Sequence, residues 1–219
     1  MGFGSLPFLP TDMITSSDLG FSYTTGYGKL RLQTAPSATA VSLAEAKTHL
    51  RIDSTFTTDD TYITTLIDVA TAAAENYMGL KIMAQSWFLD IDAFPSYFDL
   101  LIASPKADVT INAITYFDAN NASQTLAASN YFVDSTRKPV RIYESPDGNF
   151  PSTYERPNAV TVDFALGYST AGDVPAPIRQ AILLMIGSYY ETRQTVSDRT
   201  YKEIPQTAEY LLQPYRIQR

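Results

Sequence analysis

The chain has no cysteine and a single histidine, His49. Without cysteine there is no disulfide, no thiolate metal site and no cysteine nucleophile. Without a second histidine, the usual zinc sites and the Ser-His or Cys-His catalytic arrangements cannot be assembled within one chain. Charge is sparse and one-sided. There are 23 acidic against 16 basic residues, a net charge of −7, and no basic run is longer than Arg137-Lys138. A protein dedicated to duplex DNA normally shows a basic footprint, so the balance argues against that class. Long apolar runs are missing too. The stretch Ile178 to Ile186 is far short of the ~20 residues of a membrane span. The N-terminus lacks the basic and apolar regions of a signal peptide. Leu6 stands where myristoylation wants serine or threonine. Neither secretion nor a membrane partner is expected.

Motifs for chemistry are equally thin. Gly2-Phe3-Gly4 and Gly26-Tyr27-Gly28 lead into no strand-to-helix turn and carry no P-loop lysine. Asp118-Ala119-Asn120 begins like a calcium loop but has Ser123 at the glycine position and Ser129 at the glutamate position, so it reads as a hairpin tip. Asp90 and Asp92 fall on one face of a strand and read as a solvated face. Asp59 and Asp60 read as helix-start chemistry. His49 reads as a packing or surface histidine. A two-carboxylate glycosidase stays open on residue inventory, but nothing flags one. The expectation is therefore a protein that is not an enzyme, with no catalytic residue, no cofactor and no metal.

What the chain does have is enough apolar sequence, 45 %, for a packed core. Val41 to Gly79 encodes two capped helices. Ser42 and Glu45 form an S-x-x-E capping box, and Leu43, Ala46 and Leu50 share a face. Ile63, Leu66, Ile67, Ala70, Ala73 and Tyr77 then follow at helical spacing, with Gly79 as a left-handed stop. Later, Pro175 and Pro177 open a helix in which Ile178, Ala181, Ile182, Met185, Ile186 and Tyr189 line one face; Leu183, Leu184 and Tyr190 widen it. This helix is apolar nearly all round, more than a helical hairpin covers.

Between these lies a stretch of short alternating segments. Ser86 to Asp92, then Val109 with Ile111 and, after a shift, Ile114 and Tyr116, read as strands. So do Asn130 to Val133, Val140 to Tyr143 and Ala159 to Phe164, separated by proline and Asp-Gly turn signals. The expected fold is α+β: a helical body of two N-terminal helices plus one late long helix, with an antiparallel β insertion and extended N- and C-terminal arms. The divisions are 1–40 (N-terminal arm), 41–79 (helical hairpin), 80–170 (β insertion), 171–197 (long helix) and 198–219 (C-terminal docking tail). Residues 1–40 hold no period. They read either as a disordered leader or as an arm whose aromatics, among them Phe3, Phe8 and Phe21, order on a partner. The tail is too short for a core of its own and reads as docking on a partner or covering its own domain.

These blocks resemble the tailed-phage head-tail connector family, the adaptor or head-completion proteins of gp6-like and gp8-like type. The resemblance rests first on Leu43, Glu45, Ala46, Lys47, His49, Leu50 and Arg51. It continues through Asp59, Asp60, Ile63, Leu66, Ile67 and Ala70, then Glu75, Tyr77 and Gly79. In the late helix Asp173, Val174, Pro175, Ile178 and the Ala181–Leu184 run match, followed by Tyr189, Tyr190, Glu191 and Arg193; an ending close to L-x-P-Y-R completes it. The resemblance implies a structural virion protein at the head-tail interface, made in the host cytoplasm. It implies a ring of identical subunits, twelve in number, that docks on a portal protein, bridges it to a tail or nozzle protein and seals the DNA-filled head. DNA would pass through the lumen without specific binding. The exposed mix of anchors makes Leu211, Leu212, Pro214, Tyr215 and Arg216 the expected portal-binding residues. The alternative function is a soluble ligand- or glycan-binding module carried by the β insertion, for which 15 tyrosines supply stacking surfaces.

Overall fold

A computed structural model of the chain describes residues 28–105, 109–192 and 204–217. Among them are four α-helices and eight strands. Helix α1 (Leu43–Leu50) starts at the predicted capping box. The Ser42 hydroxyl accepts from the Glu45 amide at 3.2 Å, and a Glu45 carboxylate oxygen accepts from the Ser42 amide at 2.9 Å. Helix α2 (Asp60–Met78) ends on Gly79, whose φ of 71° lets its amide reach the Glu75 carbonyl at 2.8 Å. Helix α3 (Ala176–Glu191) follows Pro175, and helix α4 (Gln206–Leu212) follows Pro205.

The helices share one hydrophobic core. Ile63, Ile67 and Met78 of α2 meet Ile178, Ile182 and Met185 of α3, and Ala208 and Leu212 of α4 close the side that a two-helix hairpin would leave open. Every α3 residue from Ala181 to Tyr190 is buried or half-buried. Much of the excess apolar surface predicted for this helix is thus covered within the chain, by α4 together with α1 and α2. Two charged contacts tie the layer together. Arg179 of α3 pairs with Glu45 of α1, and buried Lys47 pairs with Asp60 at 2.7 Å.

The second core lies between two antiparallel sheets. The larger has the order β1-β2-β8-β4-β5, built from β1 (Lys29–Thr34), β2 (Gln85–Ile91), β4 (Thr110–Phe117), β5 (Ser123–Thr125) and β8 (Val160–Leu166). The smaller has the order β3-β7-β6, from β3 (Tyr97–Asp99), β6 (Tyr131–Asp134) and β7 (Arg141–Glu144). Leu89, Ile114, Val162 and Phe164 of the larger sheet bury against Phe98 and Ile142 of the smaller. The shift read between Ile111 and Ile114 is a bulge in β4, at Ile111/Ala113 in its register with β8. The α+β class, with an antiparallel β region inserted between the second helix and the late helix, is as expected.

Three features differ from the sequence reading. Lys29–Thr34, expected within an extended arm, is the edge strand β1, because β2 offers it a ladder; residues 1–27 lie outside the described residues. The final segment, expected as an extended arm, forms the short helix α4 and packs on its own body, the second of its two readings. Asp90, expected on a solvated face, is only 3 % exposed, because the paired strand β1 brings Arg31 onto it.

The two cores meet where the chain passes between α2 and β2. The Tyr168 amide bonds the Ile82 carbonyl at 2.9 Å and the Ala84 amide bonds the Tyr168 carbonyl at 2.9 Å. Gly167 makes this approach possible. Its φ is 104°, and a Cβ there would run into the Met83 carbonyl.

Candidate functional site

Among the described residues no group of three or more His, Cys, Asp or Glu could hold a metal ion, and no helix is long and apolar enough to cross a membrane. The features that demand a functional account are surfaces.

The first surface is the C-terminal end of the helical body. Helical spacing after Pro205 turns Ala208 and Leu212 inward, both fully buried, and turns Tyr210 outward, 64 % exposed. The chain then makes a single 3₁₀ turn (Gln213–Tyr215) and docks on the end of α2. There the Ile217 amide donates to the Met78 carbonyl at 3.0 Å, and the Arg216 guanidinium lies 5.3 Å from the centre of the Tyr77 ring. A groove of about 560 Å³ runs between these parts, lined by Asn76, Tyr77, Gly79, Gln213 and Arg216. Of the predicted portal-binding residues, Leu212 is fully buried in the helical core. Leu211 and Tyr215 are half-buried against the body, while Pro214 and Arg216 are exposed. Tyr210, outside that set, is the exposed large hydrophobic side chain of α4. The helical period of Gln206–Leu212 would have shown it facing away from Ala208 and Leu212.

The second surface is the edge of the larger sheet. Strand β1 pairs with β2 along Lys29↔Asp90, Leu30↔Leu89, Arg31↔Phe88 and Leu32↔Trp87, then Thr34↔Ser86 across an irregularity. Of its side chains Leu30 alone is half-buried; Leu32 is 50 % exposed. The strand is latched by Arg31, whose guanidinium makes a two-point ion pair with Asp90 and lies 4.9 Å from the centre of the Phe88 ring. Thr161 on β8 also donates to Asp90, at 2.7 Å. Burial disfavours the charged carboxylate, but the bonds from Arg31 and Thr161 and the charges of Arg31 and Lys29 outweigh it, so Asp90 titrates below the usual carboxylate range. Beyond Thr34, residues 35–39 are all exposed. Their stretch Pro36–Thr39 borders an open groove of about 640 Å³, walled on the other side by Asp68, Ala72 and Glu75 of α2.

The third surface is the outer face of the smaller sheet. Register aligns Tyr97, Tyr143 and Phe132 in one row across the three strands and Asp99, Arg141 and Asp134 in the next. Arg141 makes a two-point pair with Asp99, at 2.6 and 2.9 Å, and lies 4.3 Å from the centre of the Tyr97 ring. The bond from Asp99 and the attraction of its charge hold Arg141 protonated, its pKa raised despite burial. Phe132, at the free edge, is 59 % exposed.

Other predicted positions fall as follows. Asp118 caps the β4–β5 hairpin, accepting from the amides of Asn120 and Ala122 at 2.9 and 3.0 Å. His49 is half-buried on α1, next to Gly187 of α3. Asp92 accepts from the Asn158 amide at 2.8 Å.

Residues 40–132 match the family model described as "Phage gp6-like head-tail connector protein". The resemblance read from the two capped helices is thus borne out by an independent comparison. Comparison with curated proteins finds no match. Three solved structures are similar across nearly their whole chains. One is from the neck of an empty gene transfer agent particle computed with C6 symmetry. It has a TM-score of 0.69 at 24 % identity, and the match covers 87 % of this chain and 96 % of that one. A chain from the virion of a native gene transfer agent particle gives 0.68 at 23 % identity, with the same coverage. A chain from the neck of a native particle computed with C12 symmetry gives 0.66 at 24 %, again covering 87 % and 96 %. At this identity the structural likeness establishes the fold.

Proposed function

We propose that this chain is a structural connector of a tailed-phage-like virion: one subunit of a ring that docks on the portal, bridges it to the tail or nozzle and seals the DNA-filled head. The observation that carries the reading is the coincidence of two matches. The connector family model covers residues 40–132, and the fold of most of the chain is that of a protein in particle necks. The C6 and C12 symmetries of those particles support a ring, of twelve copies in this proposal. Such a ring needs heterologous contacts, in which one face of a subunit meets a different face of the next.

Portal docking is assigned to the exposed part of the C-terminal surface. Tyr210, Pro214 and Arg216 supply the aromatic and guanidinium contacts that dominate interfaces, with Leu211 and Tyr215 at their margin. Leu212 holds the helix on which they stand. The net charge of −7 suits a lumen that lets DNA pass without holding it.

Electron microscopy of particles made with and without this chain tests the reading. A ring of density between portal and tail that vanishes with the gene supports it. Particles unchanged by its loss, or a monomer that binds glycan in place of particles, would replace it with the ligand-binding alternative. A second arm uses purified chain and duplex DNA: negligible binding at physiological salt is expected, and tight, salt-sensitive binding would indicate a DNA-handling role.

A further inference from the structure

We propose that β1 is an exchangeable strand: in the assembled ring it completes the larger sheet of a neighbouring copy, and each subunit receives the equivalent strand in return. This deepens the ring reading above and rests on it.

The strand and its tether are loosely attached to the body. Strand β1 is held by its ladder to β2 and by the Arg31–Asp90 pair, while five of its six side chains lie exposed. The tether, residues 35–39, is exposed throughout and stands beside an open groove instead of packing on α2. The well-packed body begins abruptly with Ala40 and Val41, both fully buried. An element tied to its domain through one edge, on an exposed proline-containing linker, can leave and be replaced at little cost in contacts.

The receiving site specifies what replaces it. Withdrawing β1 exposes the β2 edge and leaves Asp90 without its guanidinium. A buried carboxylate stripped of its partner is strongly unfavourable, and an open edge invites pairing. The occupant must bring an arginine opposite Phe88 and a leucine opposite Leu89. A second copy of Lys29–Thr34 meets both conditions at the right spacing. A closed ring in which every subunit gives and receives one strand leaves no such edge open. Five extended residues span about 17 Å, so exchange requires the neighbour's β2 edge within that distance of Ala40.

The test exploits the absence of cysteine. Thr34 and Ser86 are register partners, and the double variant Thr34→Cys/Ser86→Cys places its two thiols at that pairing, with the single variants as controls for links between like positions. Assembled rings, their mass confirmed first, are oxidised and run on a non-reducing denaturing gel. Exchange predicts a covalent ladder of dimers, trimers and larger species, absent from either single variant. Rings that yield only monomer with an internal disulfide overturn exchange and leave the ring intact. A second pair guards against a failure of the cysteine variant to fold. Arg31→Asp and Asp90→Arg each break the latch within their own chain. Mixed together, they restore opposite charges across every boundary of an alternating exchanged ring, so mixing rescues assembly. No rescue counts against exchange. Particles in which the wild-type chain forms no ring overturn the ring reading itself, and the exchange with it.

Discussion

The phenolic hydroxyl of Tyr190, near the end of α3, donates to a carboxylate oxygen of Asp59, the residue before α2, at 2.5 Å. The same ring lies 6.1 Å from Tyr62 of α2. One side chain thus joins the end of the late helix to the start of the early one. Tyr190→Phe keeps the ring and removes the bond to a charged acceptor. The expected loss is about 1.5–3 kcal/mol, read as a lower urea midpoint with an unchanged slope.

Leu212 and Tyr210 are two residues apart and have opposite roles. Leu212→Ala leaves a cavity in the helical core and should lower stability by about 2–5 kcal/mol. Tyr210→Ala touches an exposed ring and should change stability by no more than about 0.5 kcal/mol. If the portal assignment holds, only the second variant yields a folded protein that joins particles poorly. Thermal melts paired with an incorporation assay separate the two.

The latch at Asp90 makes the edge strand acid-sensitive. Its folded-state carboxyl titrates below the usual value, so the stabilisation is complete above the unfolded pKa of about 3.9 and is lost as the pH falls through the lower folded value. The strand should therefore loosen below about pH 4. Trp87, the single tryptophan, sits opposite Leu32, and its emission should shift red as β1 leaves. In Asp90→Asn the strand should be looser at neutral pH and this acid step should vanish.

At the junction of the two cores, Gly167→Ala should be far more damaging than its single methyl suggests. The positive φ strains an L-residue by about 1–3 kcal/mol, and the Met83 carbonyl must also move aside. Hydrogen exchange should show early loss of protection at Ala84 and Tyr168, whose amides bond across this junction.

What could be read from the sequence was local. The capping box at Ser42 and Glu45, the Gly79 stop and the shift within β4 each depend on residues a few positions apart, so spacing alone exposes them. The features that escaped depend on distant partners. Lys29–Thr34 shows no buried period because, as an edge strand, it buries almost nothing; β2, more than fifty residues on, makes it a strand. Asp90 looked solvated because alternation cannot show that Arg31 covers it. Leu212 looked like an anchor because an apolar residue near a terminus carries no mark of whether it packs on its own domain or on another. Tyr210 is the instructive case, since the helical spacing of the seven residues of α4 is enough to place it opposite Ala208 and Leu212.

The helical core is assembled from two ends of the chain. Met78 and Ile178 both lie in it, and seven of the eight strands, β2 to β8, are threaded between them. Joining α2 to α3 therefore closes a loop of roughly a hundred residues, an entropic toll that local helix formation does nothing to reduce. A helical bundle ordinarily folds fast because its contacts are near neighbours in sequence. Here the partners α2 and α3 are far apart in sequence. On the ribosome α1 and α2 emerge early and must wait, with Ile63, Ile67 and Met78 uncovered, until the whole sheet region and α3 have been made. The apolar face of α2 is then the nascent chain's point of exposure to aggregation and to chaperones.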